Sequence, residues 1–147
     1  MPAPDLLLIK RVEDLQTALV GRCEAGQFFV TETLPIVSES ASKLPKTNQL
    51  YIVRYLFKTN GDLLSAKHAK INCSSGRDYY RLVEEKKTEL LNGLGPFEFC
   101  DISVKPFSIM IDKIQFGLVY SEGTKSIGLE PGPTITFMEP WDGEYYT

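Results

Sequence analysis

Residues 51–71 read YIVRYLFKTNGDLLSAKHAKI, and the fold turns on the Asn60-Gly61 pair at their centre. Asn-Gly tolerates the positive φ angles of a tight hairpin turn, and the runs on either side are rich in β-branched and aromatic residues. The stretch predicts two antiparallel strands. A two-residue turn sets Phe57 opposite Leu64, Tyr55 opposite Ala66, Val53 opposite His68, and Arg54 opposite Lys67. Two cations facing each other on one sheet face repel. The expected remedy is a carboxylate on a neighbouring strand, the acidic C-terminal tail, or an anionic partner.

Upstream, LLLI at 6–9 suits a short buried strand or a helix turn capped by Asp5. Val12, Leu15 and Leu19 recur at helical spacing among polar residues and Gly26 offers a stop, so Val12 to Cys23 is predicted as a helix. QFFVTETL (27–34) reads as a strand and SESASKLPKTN (38–48) as a polar loop. Downstream, Ser74 or Ser75 can cap a helix that Asn92-Gly93 ends, with Tyr79, Val83, Leu90 and Leu94 roughly on one face. The remainder is rich in Ile, Val and Phe, with turns at Lys105-Pro106, Glu122-Gly123 and Glu130 to Pro133.

This order predicts one α+β domain over 1–147, a mostly antiparallel sheet with two helices. Its 147 residues suffice for a core without staples, and 43% hydrophobic with 24% charged residues is an ordinary globular balance. No apolar run approaches the roughly 20 residues of a membrane span. Acid before the first apolar run and base after it reverse the order of a secretory signal. Cys23, Cys73 and Cys100, widely spaced, suit a reducing compartment, and the expected location is the cytoplasm.

Charge is unevenly distributed. From Lys43 to Arg81 the balance is +6 and from Ser126 to Thr147 it is -4. The tail FMEPWDGEYYT (137–147) interleaves aromatics with acids. Residues 139–147 therefore read either as core and edge cover or as a docking tail, since Trp and Tyr dominate binding hot spots. In a resting protein the acidic tail could shield the basic hairpin.

No nucleophile elbow, dinucleotide fingerprint, P-loop or HExxH motif occurs. His68, the only histidine, lacks the paired ligands of a zinc site, so no metal or cofactor is expected. Cys73-Ser-Ser-Gly-Arg77 resembles an anion-binding helix start in composition alone and suits a simple cap. The favoured reading is a non-enzymatic interaction or accessory protein with a protein partner and no membrane contact, homodimerisation being compatible with it. Its contact residues are Arg54, Lys67, Lys70, Arg77 and Arg81 on the basic side, and Trp141, Asp142, Glu144, Tyr145 and Tyr146 in the tail. The alternatives are a binder of phosphate-bearing ligands or nucleic acid on the basic face, and an enzyme with a dispersed active site.

Overall fold

A computed structural model describes residues 3–35, 49–74 and 76–147. Lys43, Lys46, the whole of the loop predicted over 38–48, and the candidate cap Ser75 lie outside the described residues. The central strand is β4 (Gln49–Phe57), whose two faces are both covered. Leu50 and Ile52 join Phe28, Val30, Ile71 and Val83 in one core. Tyr51, Val53, Tyr55 and Phe57 alternate with them and enter a larger core on the other side. Because side chains alternate between faces, a strand covered on both sides reads as an almost continuous apolar run. That is why YIVRYLF carries so few charges.

Around β4 stand β5 (Leu63–Asn72), β3 (Gly26–Thr33), β2 (Val20–Cys23) and β6 (Phe97–Phe99), in the order β5-β4-β3-β2-β6. Helix α1 (Tyr79–Asn92) lies against β5, β4 and β3. The opposite face meets a second sheet, β11-β10-β9-β8, built from β8 (Phe107–Ile111), β9 (Ile114–Ser121), β10 (Ser126–Glu130) and β11 (Thr136–Phe137). Phe116, Leu118, Ile127 and Leu129 supply its side of the larger core. A third pair, β1 (Leu7–Ile9) with β7 (Ile102–Val104), adds Leu7, Ile9, Ile102 and Val104 to that core. All these strand pairings are antiparallel. The layers are helix, sheet, sheet.

The segment 12–23 is not a helix, so the two-helix expectation is corrected to one α-helix among the described residues. Residues 12–19 form successive turns: Leu15 N donates to Val12 O, Ala18 N to Leu15 O, and Val12 N to the Thr17 hydroxyl. Asp14 has φ of 67° and Leu15 is 56% exposed, which dissolves the apolar stripe. Val20 to Cys23 then form β2, paired on both sides by β3 and β6. Helical spacing is a weak prior, and here pairing with a strand some 75 residues downstream overrides it. Gly26 opens β3 instead of stopping a helix.

The hairpin exists with a longer turn. Lys58 to Asp62 connect the strands, Gly61 has φ of 96°, and Asn60 Oδ1 accepts from Asp62 N. A register shift between Leu56 and Phe57 sets Phe57 against Leu63, not Leu64. Beyond that irregularity Tyr55 meets Ala66, Arg54 meets Lys67 and Val53 meets His68, as the sequence predicts. The turn itself is tied down, with Lys105 N donating to Gly61 O and Lys105 Nζ 2.8 Å from Asp62 Oδ1.

Candidate functional site

Arg54 and Lys67 are opposite each other but meet different surroundings. Arg54 points to the helix side and is only 5% exposed. Its Nη1 donates to the carbonyl of Leu90 at 2.9 Å. The last carbonyls of a helix have no partner within it and carry the negative end of its dipole. The countercharge expected from a carboxylate or from the tail is thus the C-terminal end of α1. Arg54 consequently belongs to the interior. Lys67 is exposed and makes no ion pair among the described residues.

The other face of the hairpin carries a cluster that sequence reasoning missed. Asp112 and Lys113, with φ of 51° and 66°, turn β8 into β9. These are the paired positive values of a tight hairpin turn. The turn brings Asp112 Oδ2 to 2.6 Å from the Tyr51 hydroxyl and 2.9 Å from Lys70 Nζ. Lys70 also lies 5.8 Å above the Tyr51 ring, and the His68 ring is 6.1 Å from it. Burial, reinforced by the neighbouring Asp112, pushes the Tyr51 phenol up to about 12. The hydrogen bond from Tyr51, then the one from Lys70, holds Asp112 below the ordinary carboxylate range. Lys70 is therefore already neutralised. The signal was Asp112-Lys113 between two alternating apolar runs.

Beyond Asn72, where β5 ends, a 3-10 turn, Gly76–Asp78, leads into α1, and Asp78 rather than Ser74 stands at the cap position. Arg77 is exposed. Arg81 is held by Glu85 at 2.7 Å and Asp78 at 3.3 Å. The basic residues of the sequence thus separate: Arg54 inside, Arg81 and Lys70 paired, Lys67 and Arg77 exposed without an ion pair among the described residues.

The tail folds back on the body. Thr136 and Tyr146 exchange backbone hydrogen bonds of 2.8 Å, Lys10 N donates to Gly143 O, and Gln16 N donates to the Tyr145 hydroxyl. Trp141 and Tyr145 pack against the larger core, whereas Tyr146 is 52% exposed. Asp142 receives the Glu144 backbone N–H. Neither acid forms an ion pair among the described residues. The shielding expected of the hairpin is therefore not formed by these side chains.

Open grooves mark the surface, and two of them border the sheets. One, of about 470 Å³, runs past Arg22, Cys23, Gln27, Asp101 and Ser103. The other, of about 630 Å³, lies between residues 11–19 and α1, with Val30 and Glu32 among its lining. His68 lines neither. Among the described residues no helix is long and apolar enough to cross a membrane. Comparison of the chain with protein-family models, with curated proteins and with solved structures finds no match in any of the three.

Proposed function

We propose that the protein is a non-enzymatic interaction protein whose contact region for an acidic protein partner is β5. One observation carries this reading. The strand is ten residues long, lies at the edge of its sheet, and bears Lys67, His68 and Lys70 with no carboxylate of its own. Lys67, without a countercharge among the described residues, supports an external one. The tyrosines of the hairpin favour protein over nucleic acid as the source of that charge. Tyr51 and Tyr55 are buried, so they offer no stacking platform beside the cations, which single-strand binding needs. Three free thiols support a reducing cytoplasmic setting.

The test is titration of the protein with a labelled decapeptide of alternating Glu and Thr at two salt concentrations. Binding should weaken with salt, and Lys67→Glu should weaken it by about tenfold, since reversing a contact charge sets like charges together. Lys125→Glu, in the distant β9–β10 turn, changes net charge equally and should leave binding near the wild-type value. Equal effects of the two substitutions, or binding of oligothymidylate in place of the peptide, would overturn the proposal.

A further inference from the structure

We infer that β5 takes its partner by strand addition, with an acidic side chain of the incoming segment placed across from Lys67. The inference rests on the acidic-partner reading and specifies how that partner binds. An edge strand presents a row of unpaired N–H and C=O groups, and an extended segment satisfies them by continuing the sheet. Among the described residues no strand pairs with the outer side of β5. The other edges of the two larger sheets offer less. β6 has three residues, β8 five, and β11 two, with Thr136 of β11 already bridged to Tyr146.

Side-chain rows then fix the chemistry. Arg54 and Lys67 are neighbours in one row across the sheet. An acid in the next position of that row lies within about 5 Å of Lys67, the usual spacing of cross-strand partners. Lys70 already has Asp112 at 2.9 Å, so Lys67 is the lysine left for the incoming charge. Its neighbours two positions away on the same face are Ser65 and Ala69. Both are small, so the incoming strand has room for large side chains on either side of its acid. The mode also disfavours β5 of a second copy as the occupant. Pairing β5 with itself would bring Lys67, His68 and Lys70 of both chains against one another, and lysines on an edge are a known deterrent to such pairing.

The experiment compares the Glu/Thr decapeptide with the same sequence N-methylated at every amide. N-methylation keeps the charges and removes the backbone donors. Strand addition predicts that the methylated peptide loses at least about tenfold in affinity, and that Lys67→Glu weakens only the unmodified peptide. Equal affinity for both peptides would overturn strand addition while leaving a purely electrostatic contact standing. Failure of both to bind would overturn the acidic-partner reading and the inference with it.

Discussion

Arg54 is a charge in a core, kept there by a helix end. Its Nε is buried without a partner among the described residues, and its bonded Nη1 satisfies the Leu90 carbonyl. Removing the guanidinium should therefore loosen the end of α1 more than it relieves the row with Lys67. Arg54→Met retains most of the stem and should lower stability by about 1.5–3 kcal/mol, the range for hydrogen bonds to charged groups. Thermal unfolding checks this, and an unchanged or raised melting temperature would contradict the assignment. The pairing of Arg54 with Lys67 agrees with the sequence reading although the two-residue turn behind it is not formed, because the irregularity between Leu56 and Phe57 offsets the longer turn and restores the register. The countercharge was not legible, since it is a backbone carbonyl 36 residues away that exists only once α1 is docked. Asp112 escaped notice for the same reason: its partners Tyr51 and Lys70 lie in the other sheet.

At the scale of elements, local signals succeeded where local chemistry decides the structure. The Asn-Gly hairpin and α1 both formed because the turn residues, the Asn92-Gly93 stop and the apolar periodicity sit within a few positions of one another, whereas the expected serine cap gives way to Asp78. The segment 12–23 failed because its structure is set by β6. A Cβ at Gly21 would collide with the backbone carbonyl of Glu98, so glycine is what lets β6 approach. Gly21→Val should consequently cost about 1–3 kcal/mol, the usual range for overpacking. Its unfolding midpoint in urea reports this, and a wild-type midpoint would show that β2 and β6 are not so closely apposed. In a helix the same substitution would have been mildly favourable, because Val is the better helix former.

Across the whole molecule, the charge asymmetry of the sequence becomes a spatial separation. The tail rests on Lys10, Gln16 and Thr136, and the segment carrying Gln16 leads into β2, three strands away from β5 in the sheet. The basic edge and the acidic tail therefore act as separate features, and the aromatic content of the tail is spent largely on packing Trp141 and Tyr145 against the core. What remains open is β5, with only Ile71 of its ten residues buried. Amide hydrogen exchange of the protein, alone and saturated with the Glu/Thr decapeptide, tests this account most directly. It predicts that outward-facing amides between Leu64 and Lys70 exchange readily in the free protein and slow markedly with peptide, while α1 and the tail are unchanged. Slowing confined to α1 or to residues 141–147, with β5 unaffected, would contradict it.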